Sequence, residues 1–260
     1  MSDDNRTGNE QADGKTPQDG VSESAYGAWH RRVLEGRAGL FAALTAVAIS
    51  IGGLVEIVPM FTATDMGVGE DMPITPYTPL EVAGRDLYVR EGCYLCHSQM
   101  VRPMRAEVLR YGEWSRAWEY RYDRPFLLGS RRLGPDLHRI AGKYPDAWHY
   151  EHMEDPRAIA PGSIMPAYSW MLERTVDPSR VTKSLRALQR VGHPYVDVSE
   201  ENVRGAMRSQ GNEIVANLRS AGIESTWDRE IIAMIAYLQR LGRDGKAVLS
   251  GAAGEQEEEQ

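Results

Sequence analysis

The sequence predicts a mainly α-helical protein, with one N-terminal transmembrane helix followed by a helical domain. Three observations predict this fold class. Residues 38–61 form an apolar run of 24 residues that contains one charge, Glu56. Residues 78–81 (TPLE) form a capping box with proline at the first helical position, which marks a helix start. Apolar residues recur at helical spacing over 227–241, and no segment shows the alternation of a half-buried strand.

The composition is that of a folded protein with acidic ends. Of the 260 residues, 42% are apolar and 26% are charged, close to globular averages. Two cysteines are too few for a disulfide-dense scaffold or a four-cysteine metal site, and a net charge of −7 argues against nucleic-acid binding. Residues 1–29 hold six acids against two bases, and the last ten residues hold four acids and no base. We predict a disordered acidic tail over 1–29 and an acidic C-terminal tail over 243–260.

The apolar run over 38–61 is long enough to cross a membrane. At 1.5 Å per residue a helix of this length reaches about 36 Å, more than a hydrocarbon core of about 30 Å. The alternatives are the buried helix of a soluble protein, which rarely lacks polar residues over such a length, and a cleaved signal peptide, which is shorter and needs a small-residue cleavage site. Three arginines precede the run and three acids follow it: Arg31, Arg32, Arg37, Asp65, Glu70 and Asp71. The positive-inside rule therefore predicts a cytoplasmic N-terminus and an external domain.

Glu56 lies inside the span, where a carboxylate costs about 2.5–3.5 kcal/mol near the centre and less toward the interface. Two interpretations are open: the carboxylate reaches the outer headgroups, or it contacts a neighbouring membrane subunit. Gly52 and Gly53 beside it permit close helix–helix approach.

The region after the span divides into a linker and a helical domain. Residues 62–77 are rich in Gly, Pro and Thr and predict the linker, and the domain covers 78–242. Its first helix is expected to end near Arg90, and a loop-rich segment follows over 98–135. Further helices are predicted over 146–154, 178–191, 199–209, 211–220 and 227–241.

One motif carries chemistry: residues 93–97 (CYLCH) form the C-x-x-C-H signature of covalent c-type haem attachment. The thiols of Cys93 and Cys96 can bond the two vinyl groups of a porphyrin, and His97 then falls under the iron as an axial ligand. The alternatives are a thioredoxin-like dithiol, which does not need the histidine, and half a zinc site, for which the chain has no further cysteine. Because the motif occurs once, the sequence predicts one haem.

The second axial ligand must come from elsewhere in the chain. The best candidate is Met165, in the proline-bounded segment 161–166 (PGSIMP), where a thioether can be held rigidly toward the iron. Met100 and Met104 are too close to His97 to reach the opposite face easily. The alternative role for any methionine is core packing. The histidines beyond the motif are further candidates: His138, His149, His152 and His193.

The outline resembles a class I cytochrome c, with a helix carrying Gly84 and Tyr88 before the haem motif, a methionine loop, and a C-terminal helix that crosses the first. The finer pattern resembles the membrane-anchored mono-haem subunit II of cbb3-type cytochrome c oxidases. The resemblance covers roughly 30–242 and is carried by GGLVEIVP, CYLCHSQMVRPMR, RYGEWS, RPFLLGSRRLGPDLHRIAGKY, WHYEHMEDPR and SIMPAYSWM. Two features depart from the family pattern: the acidic N-terminal tail is longer, and 197–226 is longer and more helical.

The resemblance implies an electron-relay subunit that is not itself catalytic. Its haem c would take electrons from the dihaem cytochrome c subunit III or a soluble donor, and pass them to haem b of the catalytic haem-copper subunit I. It also implies the bacterial inner membrane, with the haem domain in the periplasm. The rival functions are a free-standing membrane-anchored electron shuttle and, from another class, a haem-based gas sensor or peroxidase, which needs an open sixth coordination site.

The resemblance also implies roles for residues around the haem. In small cytochromes c a Gly-Pro-x-Leu turn offers its proline carbonyl to the second ring nitrogen of the haem histidine, which assigns this role to Pro135; an ordinary turn is the alternative. Nine arginines lie within 102–139. We expect Arg102 and Arg105, next to the motif, to pair with the haem propionates or to dock on the catalytic subunit. A solvated face is the alternative for this basic stretch.

Overall fold

The computed structural model describes residues 25–62 and 73–258. Most of the predicted N-terminal tail (1–24) and of the predicted linker (63–72) lies outside these residues. Two compact units are present, divided after Thr62.

The first unit is helical throughout its described part. Helix α1 covers Ala25–Trp29, a π-helix covers His30–Glu35, and helix α2 covers Ala38–Thr62. Helix α1 falls within the segment predicted to be disordered. The difference has a compositional cause, because its five residues (AYGAW) lack the charged and polar side chains on which that prediction depended.

Helix α2 confirms the prediction of a single transmembrane helix. The candidate span is Ala38–Pro59, with a mean hydropathy of 2.1 and no residue buried within the protein. Its large apolar side chains are exposed, from 39% at Leu40 to 69% at Ile49. A helix that is apolar all round and unburied suits a hydrocarbon environment.

The second unit contains helices α3 to α10 and, among the described residues, no β-strand beyond one isolated bridge between Thr175 and Arg229. The α-helices are α3 Pro79–Arg90, α4 Arg105–Tyr111, α5 Asp146–Glu154, α6 Pro156–Ile159, α7 Pro178–Arg190, α8 Glu200–Ser220, α9 Glu230–Arg240 and α10 Arg243–Glu258. Short 3₁₀-helices cover Cys93–Leu95, Ala117–Tyr120 and Ser169–Leu172. The mainly helical fold class is therefore confirmed.

Helix α3 begins as the sequence predicts. The Thr78 hydroxyl accepts a hydrogen bond from the Glu81 backbone N–H at 3.2 Å, and the Thr78 backbone N–H donates to Glu81 Oε2 at 2.8 Å. These two bonds complete the capping box and satisfy N–H groups that the first turn leaves without helical partners. The helix ends at Arg90, and Gly92 turns the chain with a φ of +72°.

The core of this unit is built on the crossing of α3 and α9. Gly84 allows the close approach, because a Cβ there would overlap the Ala233 carbonyl oxygen and lie 2.6 Å from Tyr237 Cβ. Helix α9 is apolar on almost every face and is buried along its whole length except at Gln239. Helices α7 and α8 pack on α3, and α5 packs on α8 and α9.

One helix prediction was wrong at its centre. The sequence predicted two separate helices, over 199–209 and 211–220, but α8 continues through Gly211 without interruption. Gly211 is a packing site, since an added Cβ would lie 2.8 Å from the Trp227 carbonyl oxygen. A glycine inside a helix costs only about 1 kcal/mol relative to alanine, which contacts of this kind offset.

The segment assigned to the acidic C-terminal tail begins with ordered structure. In the first turn of α10, Asp244 Oδ2 accepts hydrogen bonds from Arg240 Nη2 and from the Thr75 backbone N–H, both at 2.8 Å. Lys246 Nζ donates to the Ala141 carbonyl oxygen at 2.5 Å. The first residues after 242 therefore pack on the domain.

The crossing predicts a strong dependence on Gly84. We expect Gly84→Ala to lower the free energy of unfolding by about 1–3 kcal/mol, because the methyl group forces α3 away from α9. Gly205→Ala is the matched control: it lies mid-helix in α8 with no atom within 4 Å of an added Cβ, so it should stabilise by about 0.5–1 kcal/mol. Denaturant unfolding of the full chain in detergent, followed by circular dichroism, measures both. Equal effects of the two variants would contradict the close crossing.

Candidate functional site

The two cysteines lie in a single turn just after α3. Cys93 begins the 3₁₀-helix, and its carbonyl oxygen accepts from the backbone N–H groups of Cys96 at 3.1 Å and His97 at 3.0 Å. Both thiols are free; that of Cys93 is buried and that of Cys96 is exposed. The turn thus presents both sulfurs and the imidazole from five consecutive residues.

The Cys93 thiol does not have the environment of a reactive dithiol. Burial, assisted by the negative charge of Glu91, raises the pKa of the Cys93 thiol to about 12. Thioredoxin-like cysteines require the opposite, a pKa lowered toward neutrality so that the thiolate can attack. This environment favours a thiol that is modified once during maturation over one that cycles as a nucleophile.

His97 is oriented by the turn that the resemblance singled out. Its Nδ1 lies 2.8 Å from the Pro135 carbonyl oxygen. Because a carbonyl oxygen can only accept, Nδ1 carries the proton and Nε2 keeps its lone pair. Burial lowers the pKa of His97, against the contributions of the Pro135 carbonyl and Asp136, so the ring stays neutral and able to ligate at neutral pH.

Gly134 completes a close-fitting wall beside this imidazole. A Cβ at Gly134 would overlap Cε1 of the ring and lie 2.7 Å from Nδ1. The Gly134 backbone N–H donates to the Cys96 carbonyl oxygen at 3.0 Å, which fixes the distance between the turn and the motif. Glycine at position 134 therefore allows the Pro135 carbonyl oxygen to lie 2.8 Å from His97 Nδ1, because any side chain there would overlap the ring.

The donor set fits a haem iron and does not fit a protein-bound zinc. Over residues 25–62 and 73–258, no group of three or more His, Cys, Asp or Glu side chains is placed to hold a metal ion. A structural zinc needs four protein ligands. A haem iron needs only axial ligands from the protein, because the porphyrin supplies the others.

The methionine loop, residues 161–166, follows α5 and α6 in the chain. Met165 is half-buried against the core, and its backbone N–H donates to Ser163 Oγ at 3.2 Å. The Tyr168 backbone N–H donates to the Met153 carbonyl oxygen at 2.7 Å, which ties the loop to α5. Burial, and then the charge of a Cys93 thiolate, raise the pKa of Tyr168 to about 12.

The four histidines that follow the motif differ in their availability. His138 is engaged: its Nε2 lies 3.0 Å from Glu119 Oε2, and its ring stacks on Tyr120 with centroids 4.8 Å apart. His193 is buried next to the rings of Tyr122 and Tyr195. His149 and His152 both lie on α5.

The two arginines next to the motif differ in their contacts within the protein. The Arg102 guanidinium pairs with Glu107, which also accepts from Arg132 Nη1 at 2.7 Å. Arg105 is exposed at the first position of α4. The structure therefore assigns Arg102 an ion pair within the protein and leaves Arg105 at the surface.

A buried hydrogen-bond network, which was not predicted from the sequence, joins the segment after the haem motif to the Gly-Pro turn. Asp136 lies at its centre and is 5% exposed. Arg132 Nε donates to Ser98 Oγ at 2.6 Å, and its Nη2 donates to the Met100 carbonyl oxygen at 2.7 Å. The only sequence signal for it was the density of charged residues just before and within the Gly-Pro turn.

A family model described as cytochrome C oxidase, mono-heme subunit/FixO, matches residues 31–244. The match covers the apolar helix, the haem motif, the Gly-Pro turn and the methionine loop. A search of curated proteins found no match.

The wall beside His97 predicts an effect of Gly134→Ala on haem incorporation. The methyl group overlaps the ring, so we expect the variant to lose most of its haem, measured as the ratio of haem absorbance to protein. Gly205→Ala in α8 is the control, because an added Cβ there meets no atom within 4 Å. A Gly134→Ala protein with the haem content and spectrum of the unmodified chain would contradict the close approach.

Proposed function

The chain belongs to the FixO family, the mono-haem subunits of cytochrome c oxidase, and we propose that it relays single electrons to haem b of the catalytic subunit. The observation that carries the proposal is the contact between His97 Nδ1 and the Pro135 carbonyl oxygen, which leaves Nε2 ready to bind iron. Membership in a family of oxidase subunits argues against the free-standing shuttle.

We assign the haem to the following side chains. Cys93 and Cys96 would form the covalent thioether bonds, and His97 and Met165 would ligate the iron. When bound, the haem would supply a one-electron couple between ferrous and ferric iron, with a potential raised by methionine ligation. With both ligands from the protein in place, no coordination site would remain for oxygen, which argues against an oxidase, a peroxidase or a gas sensor.

Exposed apolar side chains support the placement of a large apolar group beside the motif. Leu95 within the motif, Leu133 before the Gly-Pro turn and Ile164 beside the distal methionine are 59%, 63% and 75% exposed. Leu95 and Ile164 adjoin residues assigned to the haem, and Leu133 adjoins the turn that orients His97. A porphyrin edge gives such side chains an apolar surface to cover. Arg105 is the remaining choice for a haem propionate or for docking on the catalytic subunit, because the charge of Arg102 is compensated by Glu107.

The membrane helix supports assembly with larger subunits. Arginines before α2 favour a cytoplasmic N-terminus in a bacterial inner membrane, with the haem domain in the periplasm. Glu56 in the lipid region is stabilised by a polar partner on another helix, and Gly52, with no atom within 4 Å of an added Cβ, leaves room for that helix. The partners we propose are the catalytic haem-copper subunit I and the dihaem cytochrome c subunit III.

Covalent attachment predicts a haem that survives denaturation. Electrophoresis in detergent followed by haem peroxidase staining should show a band near the chain mass of 29.1 kDa. Cys93→Ala and Cys96→Ala should each weaken or abolish the stained band. Met165→Ala should keep it, because the methionine sulfur would bind only the iron and forms no bond to the porphyrin. If the band of the mature protein shows no haem stain, covalent attachment is refuted.

The relay predicts a kinetic defect that is confined to electron entry. In the purified oxidase, Met165→Ala should lower the potential of this haem and slow the reduction of haem b by the natural donor. Direct chemical reduction of the catalytic subunit should still support oxygen consumption. Stopped-flow spectra of the complex distinguish the two steps, and a normal rate of haem b reduction in the variant would exclude this chain from the electron path.

A further inference from the structure

Helix α5 carries two imidazole nitrogens that are buried without a hydrogen-bond partner among the described residues: His149 Nε2 and His152 Nδ1. A buried polar atom without a partner costs about 1–3 kcal/mol. Such atoms in a folded protein usually face a group that completes the site. The two residues lie three positions apart, so they are neighbours on the helix surface.

The His152 ring is held in one orientation by stacking. It lies on the Trp148 ring with centroids 4.6 Å apart and planes 7° apart, and Trp148 lies on Tyr144 with centroids 3.9 Å apart. These residues are spaced four apart along the chain and form a column of three parallel rings. Because the column fixes the imidazole plane, Nδ1 can leave its position without breaking the stack only by a 180° flip of the ring.

The position of α5 brings His152 to the methionine side of the haem site. Met153, the next residue, accepts the backbone hydrogen bond from Tyr168 that ties the methionine loop to this helix. Burial, and then the charge of His97, lower the pKa of His152. The pKa of His149 is lowered by burial without a contribution from His97. Of the two residues, His152 is the one next to Met153, whose carbonyl oxygen holds the methionine loop.

We propose that His152 is a positioning residue whose Nδ1–H donates a hydrogen bond to the sulfur of Met165 when that thioether binds the iron. The inference rests on the ligand assignment of the proposed function. A neutral imidazole with its proton on Nδ1 is a donor, and a thioether sulfur is a weak acceptor. The bond restricts rotation of the methionine side chain and slows its replacement by an external ligand.

The test uses the full chain with its covalent haem and measures cyanide binding to the ferric form, because cyanide competes with the methionine sulfur. Removing the donor in His152→Leu should raise the cyanide affinity about tenfold, the equivalent of one hydrogen bond, and weaken the near-infrared band of methionine-ligated ferric haem. His152→Asn places an amide nitrogen near the position of Nδ1 and should restore most of both properties. His149→Leu is the matched control and should change the affinity by less than about twofold.

Three results would overturn the inference: unchanged cyanide affinity in His152→Leu, equal affinities in His152→Leu and His152→Asn, or equal affinities in His152→Leu and His149→Leu. A parallel Met165→Leu variant separates this inference from the proposed function. If Met165→Leu keeps the near-infrared band, the ligand assignment fails. If Met165→Leu loses the band while His152→Leu matches the unmodified protein, only the role of His152 fails.

Discussion

The carboxylate of Asp136 holds together the two loops that form the proximal side of the site. Its Oδ2 accepts from Ser98 Oγ at 2.6 Å and from the Met100 backbone N–H at 2.8 Å, and its Oδ1 accepts from the His138 backbone N–H at 2.9 Å. A buried carboxylate is costly unless its oxygens are hydrogen-bonded. The segment after the haem motif and the Gly-Pro turn must therefore order together, and the position of the proline carbonyl follows from that coupling.

The crossing of α3 and α9 sets the other boundary of the site. The haem motif begins three residues after α3 ends, so the glycine-mediated contact between the two helices determines where the cysteines lie. On the far side of the motif, Gln99 Nε2 donates to the Tyr237 hydroxyl at 3.0 Å, which returns the chain to α9. The chain on both sides of the haem motif is thus anchored to this pair of helices, to α3 before the motif and to α9 after it. Because close-packed interiors transmit small displacements, a shift of α3 against α9 also displaces the haem motif.

Features that depend on neighbouring residues could be predicted from the sequence. The capping box at Thr78 and the end of α3 at Arg90 depend on residues close by in the chain, and both are as the sequence predicts. The partners of Asp136 could not be predicted, because they are up to 38 residues distant and the loops between them have no periodic pattern. The continuity of α8 at Gly211 was misjudged for the same reason: the compensating contact comes from Trp227, in a different element.

Several arginines of the basic stretch, residues 102–139, are paired with buried carboxylates, so the number of arginines overstates the positive charge at the surface. Arg102 and Arg132 pair with the buried Glu107, and Arg139 forms a two-fold pair with Glu119 in which both side chains are 3% exposed. These arginines compensate carboxylates that would be costly to bury alone, and breaking such a pair is more damaging than never having formed it. The charge available to partners or to haem propionates is therefore smaller than the arginine count implies. A charge-reversal experiment aimed at docking should leave the paired arginines intact and change only those at the surface, since the former hold the haem-site loops in place.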